Sequence, residues 1–560
     1  MDDRANLSEF LNEVSNFTEE GASALTEAAQ ALGAIGEVVE IAGSGSQIRM
    51  DAAALTALQS HSDQSVAMSG QVGSQVKMIV GANWLIANVR TLRADTGGEL
   101  IAYVDFLGEG TKIGTGTVAN FRRGVTRYPI PGSPVLPVST EDLRAIFAAT
   151  DEPHIEIGTV YPTDDIRGAL YVDPMLSKHF AVLGSTGTGK STSVALILHR
   201  ISQLSPEGHI VMIDPHGEYS AAFKSCGEIF NVDNLQLPYW LMNFDEHCEV
   251  FLTTHGSERQ RVADILAKCL LAARTKGKDM SQYGKVTVDS PIPYLLADLN
   301  TILVNEMGKL DRAGDTLPYQ RLKTKLDELR ADPRYTFMFS GMLVSDSMPS
   351  LIAKLFRLPS QGRPISIVDV SGVPSEVTSV VVSVLARMVF DYAIWSRTEA
   401  QKPLLLVCEE AHRYVPKDEN AEKGQAVRRI LERIAKEGRK YGVSLGLITQ
   451  RPSDLAEGVL SQCGTIVSMR LNNDRDQACV RAAMPEGARG FLDAIPALRT
   501  RECIVCGEGV AIPIRVRFDD LEPEKRPASS DPSFARLWCE TGDEAGIIQR
   551  TIKRWRGHGR

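Results

Sequence analysis

Leu7, Phe10, Leu11 and Val14 recur at the spacing of one helix face, so the first 30 residues are expected to form an amphipathic helix. Seven acidic side chains against one arginine make that segment either a helix packed on its own domain or a docking element for a partner protein. The pattern then changes. Short apolar-rich runs at 35–41, 76–80, 100–107 and 155–160, separated by Gly, Pro and Asp, predict the strands of a small β-barrel or sandwich over residues 31–165. From the apolar run 180–183 onward, buried-strand patterns (210–213, 365–370, 404–407, 444–448, 465–469) alternate with helical ones. That alternation predicts an α/β domain with a parallel sheet, spanning 166–248 and 340–520. Between 249 and 339 the alternation stops. Charged helical patterns at 258–276, 293–312 and 318–329 predict a helical bundle inserted into the sheet domain. A tail, 521–560, closes the chain, and its last eleven residues hold five Lys or Arg and Trp555. There are no internal repeats and no low-complexity tract.

Length agrees with this division, because 560 residues exceed what one hydrophobic core can organise. With 43% hydrophobic and 23% charged residues the composition is that of a soluble globular protein. The longest apolar run, 377–390, contains serine and Arg387, and the N-terminus is acidic without an apolar core. A membrane span and secretion are therefore not expected, and the reading is cytoplasmic. Nine cysteines are scattered. Cys503-Ile-Val-Cys506 has no second pair to complete a zinc site, so buried, reduced thiols are expected. A net charge of −9 argues against a surface coated for nucleic acid. It leaves DNA binding open, since a ring needs positive charge only along its channel.

The strongest chemical signal is Gly184-Ser185-Thr186-Gly187-Thr188-Gly189-Lys190-Ser191, followed by Thr192, between an apolar strand and an apolar helix. Glycines let backbone N–H groups surround phosphates, and the helix N-terminus adds its dipole. Lys190 would reach the β- and γ-phosphates and Ser191 would ligate Mg2+. Leu404-Leu-Leu-Val-Cys-Glu409-Glu410 places two acids at a strand end. Glu409 would hold Mg2+, directly or through water, and Glu410 would orient or deprotonate the attacking water. Asp214-Pro215-His216-Gly217-Glu218-Tyr219 ends another strand, so Asp214 and Glu218 either contact metal or water, or belong to a turn built on Pro215 and Gly217. Gln450, after the 444–448 strand, is a candidate γ-phosphate sensor. The helical pattern 424–440 carries Arg428, Arg429, Arg433, Lys436, Arg439 and Lys440. Arg439 is its candidate arginine finger, or else a cation settled at a helix C-terminus. The fold expected is thus a RecA-like P-loop ATPase domain binding ATP and Mg2+.

In their order these motifs resemble the HerA family of hexameric ATPases, relatives of the FtsK chromosome pumps and of type IV secretion ATPases. The resemblance rests on Leu176-Ser-Lys-His179-Phe-Ala-Val-Leu-Gly184 into the P-loop, Asp214-Pro-His-Gly-Glu-Tyr219, Glu409-Glu-Ala-His412-Arg-Tyr, Glu437-Gly-Arg439-Lys-Tyr-Gly442, Ile448-Thr-Gln450-Arg-Pro-Ser453 and Arg470-Leu-Asn-Asn, over roughly residues 35–516. It implies a homohexamer that moves double-stranded DNA and works with a nuclease or a sirtuin-like effector, in DNA end processing or antiphage defence. It also implies a tail that braces a neighbouring subunit's nucleotide site, where the alternative is a disordered basic end. Glu409 departs from the aspartate usual at that place in the family, which puts a direct metal contact in doubt. Two alternatives stand: an ATP-regulated ring scaffold that organises an effector, and an export or conjugation ATPase, which would need a membrane anchor.

Overall fold

A computed structural model describes residues 33–557 except 114–115, 254–255, 280, 282, 311–312, 341–342, 344, 419–423, 485–488, 529–532, 541 and 543. The amphipathic segment expected in residues 1–30 lies outside the described residues. The first strands are β1 (Gly36–Ile41), β2 (Gly45–Met50), β3 (Gln75–Val80), β4 (Asn83–Ala94), β5 (Leu100–Ile113), β6 (Thr117–Arg123) and β7 (Pro134–Pro137). They run β2-β1-β7-β3-β4-β5-β6, and β2 also pairs with β5, so six of them close a barrel and β6 is added outside it. Closure removes the unpaired edges that an open sheet exposes. Alternation assigns the faces. Along β4, Leu85, Ala87 and Val89 fill the barrel, while Trp84 and Ile86 point outward into the core of the following domain.

The second sheet contains β8 (His154–Val160), β9 (Arg167–Tyr171), β10 (Phe180–Leu183), β11 (Ile210–Asp214), β12 (Gly227–Phe230), β13 (Ile365–Asp369), β14 (Leu404–Cys408), β15 (Val443–Thr449), β16 (Thr465–Met469), β17 (Glu502–Gly507) and β18 (Ile514–Phe518). Its order is β12-β13-β11-β14-β15-β10-β16-β17-β18-β8-β9. Strands β12 to β16 are mutually parallel, and β17, β18, β8 and β9 continue the sheet antiparallel. The 155–160 run expected in the barrel therefore belongs to the larger sheet, where β8 pairs with β18 and β9. Alternation fixes that a segment is a strand but not which sheet it joins. β10 lies between β15 and β16, buried on both faces, which is why its four residues are all apolar. Gly446 of β15 makes room for the Phe180 ring, since a Cβ there would stand 2.6 Å from its Cζ.

Helix Ser375–Trp395 is long and apolar enough to cross a membrane by composition, and 67% of its apolar window is buried inside the protein. Its Arg387 pairs with the fully buried Glu246 at 2.9 Å, anchoring the helix in the core. Between β12 and β13 run helices Gly256–Thr275, Leu296–Met307 and Ala313–Ala331, which bury Leu266, Leu270, Leu299, Leu303, Leu322 and Leu326. The last begins before Pro318 rather than at it. Pro318 therefore lies inside the helix, past the four free N–H groups of its first turn, and its missing N–H costs one bond of the helical ladder. The nine cysteines are all free, and Cys539 is exposed where burial was expected. Cys503 and Cys506 lie in β17, and burial pushes both thiols well above their ordinary range.

Candidate nucleotide site

Because β10, β11, β13, β14 and β15 are parallel, their C-terminal ends share one edge of the sheet. Open α/β sheets bind ligands at such an edge. The loop after β10 is fixed from three sides. Gly184 N donates to Thr449 O (3.3 Å), Ser185 N to Arg470 O (3.0 Å), and Thr188 O accepts from Arg501 N (2.9 Å). Gly187 (φ 77°) and Gly189 (φ 91°) adopt the left-handed conformation that glycine reaches without strain. Ser185 Oγ accepts from Asn472 N and Thr188 Oγ1 donates to Ser185 O, so these two side chains shape the loop. Thr186 Oγ1 donates to Gln450 Oε1, which joins the loop to the end of β15. Helix Lys190–Leu204 starts at Gly189 without a side-chain cap, so its first-turn N–H groups remain available to an anion. Ser191 and Thr192 lie in that first turn, half-buried.

Lys190 Nζ lies 2.9 Å from Glu409 Oε1 and 3.9 Å from Glu410 Oε1, and all three residues are buried. One lysine thus serves two carboxylates. Among the described residues, neither Glu409 Oε2 nor Glu410 Oε2 closes a hydrogen bond. Glu410 has φ 51°, a strained value for a residue with a side chain. His412 Nδ1 stands 3.2 Å from Glu410 Oε2 and 2.9 Å from Thr449 Oγ1. Burial lowers the His412 pKa, while the Glu410 charge pulls it the other way. The site combines surplus negative charge, acceptor capacity that the protein leaves open, and the Ser191 hydroxyl. Hard oxygen donors of this kind fit Mg2+. No group of three or more His, Cys, Asp or Glu is arranged to hold a metal among the described residues. An ion here would therefore complete its shell with phosphate and water, as Mg2+ commonly does.

Asp214 departs from its expected metal role. It is fully buried, and its carboxylate accepts from His216 N (3.1 Å), Gly217 N (2.9 Å) and Tyr219 N (2.9 Å). The carboxylate is the scaffold of the turn, so of the two readings the structure favours the turn. Burial, only partly offset by those bonds and reinforced by the charges of Glu409 and Asp369, pushes its pKa up to about 6. Glu218 is half-buried, and its carbonyl accepts from Ala528 N (2.8 Å). The residue that the turn does deliver is Tyr219, fully buried beside Glu409 and Ser191. Sequence reading passed over it because an aromatic after a turn looks like core.

Arg501 was also missed. Its backbone braces Thr188, its Cγ lies 3.0 Å from where a Cβ on Gly189 would be, and its guanidinium pairs with Asp520. Arg439 is exposed and lies in the last turn of helix Gln425–Tyr441, which leads directly into β15. It therefore sits at the opposite edge of the sheet from its own P-loop. That end is fixed by His179, whose Nε2 donates to Ala435 O (3.0 Å) and whose Nδ1 accepts from Leu445 N (3.0 Å).

The family model described as "Helicase HerA, central domain" matches residues 155–389. The chain is 25% identical over 516 residues to the DNA double-strand break repair helicase HerA of Pyrococcus furiosus, covering 85% of this chain and 89% of that one. It is 25% identical over 432 residues to the protein of the same name from Sulfolobus acidocaldarius, covering 76% and 80%. The solved structure of VirB4 of Thermoanaerobacter pseudethanolicus superposes with a TM-score of 0.48 at 16% identity, covering 67% of this chain and 99% of that one.

Proposed function

We propose that this chain, which belongs to the HerA family and is an ATPase, moves double-stranded DNA through a homohexameric ring in the cytoplasm. The observation that carries the proposal is the pair of buried carboxylates, Glu409 and Glu410, meeting at Lys190 on the phosphate edge with acceptor capacity left open. The backbone N–H groups of Gly184–Thr192 and the Lys190 ammonium bind the triphosphate. Ser191 and Glu409 would hold Mg2+, which would supply positive charge against the developing phosphate charge, and Glu410 positions the attacking water. Gln450, tied to Thr186, senses whether the γ-phosphate is present. Arg439 faces away from its own nucleotide and serves a neighbouring subunit's.

The remaining parts follow the same reading. The 249–339 helices form an inserted subdomain and the barrel presents a docking face to a nuclease or sirtuin-like effector, in antiphage defence or DNA end processing. Ile548, Ile552 and Trp555, exposed at helical spacing on Glu544–Gly557, fit a tail that braces the next subunit. The test is ATPase activity of the purified chain with duplexes of increasing length. Turnover should rise with duplex DNA and fall by at least about 100-fold in Lys190→Ala. Hydrolysis by a hexamer that neither binds DNA of any length nor responds to it would remove the motor reading and leave the ring scaffold.

A further inference from the structure

Tyr219 ends the turn after β11, and its ring is fully buried with the hydroxyl beside Glu409 and Ser191. The hydroxyl lies within electrostatic reach of both side chains, yet neither it nor Glu409 Oε2 closes a hydrogen bond of ordinary geometry with a described residue. A buried donor and a buried acceptor thus stand unpaired in the same place, which folded proteins rarely tolerate without a functional reason. The turn that places the ring is rigid, because Asp214 binds three of its backbone N–H groups, including that of Tyr219. Glu409 Oε1, by contrast, is engaged by Lys190.

We propose that Tyr219 is a positioning residue for hydrolysis: once a triphosphate draws Lys190 away, its hydroxyl donates to Glu409 Oε2 and leaves Oε1 facing the metal beside Ser191. This rests on the reading of Glu409 as a metal-holding residue. Lys190 is the sole cation paired with Glu409 among the described residues, so without a second donor the freed carboxylate would turn in its pocket. Asp214 gains a purpose here as well: it holds the backbone that aims the tyrosine.

The test compares Tyr219→Phe with Glu409→Gln in the full chain, using a fluorescent ATP analogue in EDTA and in Mg2+, followed by turnover. In Tyr219→Phe the metal-free affinity should be unchanged. The gain in affinity on adding Mg2+ should shrink about tenfold, with the half-saturating Mg2+ for turnover rising to match. Tyr414→Phe removes another buried, unpartnered hydroxyl that is not placed beside Ser191, and should change neither quantity. Parental Mg2+ dependence in Tyr219→Phe, or equal loss of binding with and without metal, overturns the proposal. If Glu409→Gln also keeps the full Mg2+ gain, the metal-holding reading itself fails. If only Glu409→Gln loses it, the tyrosine inference alone fails.

Discussion

Lys77 in the barrel and Lys190 in the P-loop helix are both buried and both pair closely with a carboxylate, at 2.7 Å to Asp142 and 2.9 Å to Glu409. Around Lys77 both oxygens of the paired carboxylate are bonded. Asp142 Oδ2 takes Lys77, Ser139 N and Ser139 Oγ, while Oδ1 takes Val118 N (2.9 Å). Lys77 also donates to Gly116 O (2.9 Å) and lies over the Trp84 ring (4.8 Å). Around Lys190 two carboxylates share one cation, Glu409 Oε2 is left unbonded, and Glu410 Oε2 has only the His412 Nδ1 contact at 3.2 Å, without a hydrogen bond of ordinary geometry. Saturated buried charge holds a fold together, whereas unsaturated buried charge at a sheet edge is kept for something that arrives later.

The sharpest way to break this contrast is to remove one charge from each cluster. Glu410→Gln should lower turnover by about 10²–10⁴-fold with thermal stability unchanged or raised, because a like charge is lost. Stability loss matching the activity loss would put Glu410 in the same class as Asp142. Lys77→Met leaves Asp142 buried and unpaired, so it should cost about 3–5 kcal/mol in denaturant unfolding while turnover per folded molecule stays at the parental level. The smallest effect concerns Asp214, which shares the site's surplus of carboxylates but is spent on a turn. Its folded pKa of about 6 exceeds the ordinary 3.8, so the folded state holds the extra proton. That contribution is complete below pH 3.8 and is lost as pH rises through 6. Relative to Asp214→Asn, the parent should lose roughly 2 kcal/mol between pH 4 and 7, read from the gap between their thermal midpoints. A gap that does not vary with pH would mean that Asp214 stays ionised throughout.

Much of this was legible beforehand, for reasons that particular residues make clear. Gly187 and Gly189 stand where only glycine bends freely, and Leu404–Val407 announces a buried strand with acids at its end, so both motifs are local. The run at 155–160 was legible as a strand, but its partner β18 lies some 350 residues downstream, and no local pattern encodes that pairing. Tyr219 and Arg501 escaped for the same reason. Each matters through neighbours brought together by the sheet order, Glu409 with Ser191 for one and Gly189 for the other. Asp214 was read as either ligand or turn former, and only the three N–H groups around it decide.

The outward face of β4 merges with the packing around β10: Trp84 and Ile86 belong to the same core as Phe180 and Val182. Gly490 adds a strut from the other side, its N–H donating to Asp105 Oδ2 at 3.0 Å. Any substitution that shifts Trp84 therefore also disturbs packing shared with the strand that leads into the phosphate loop.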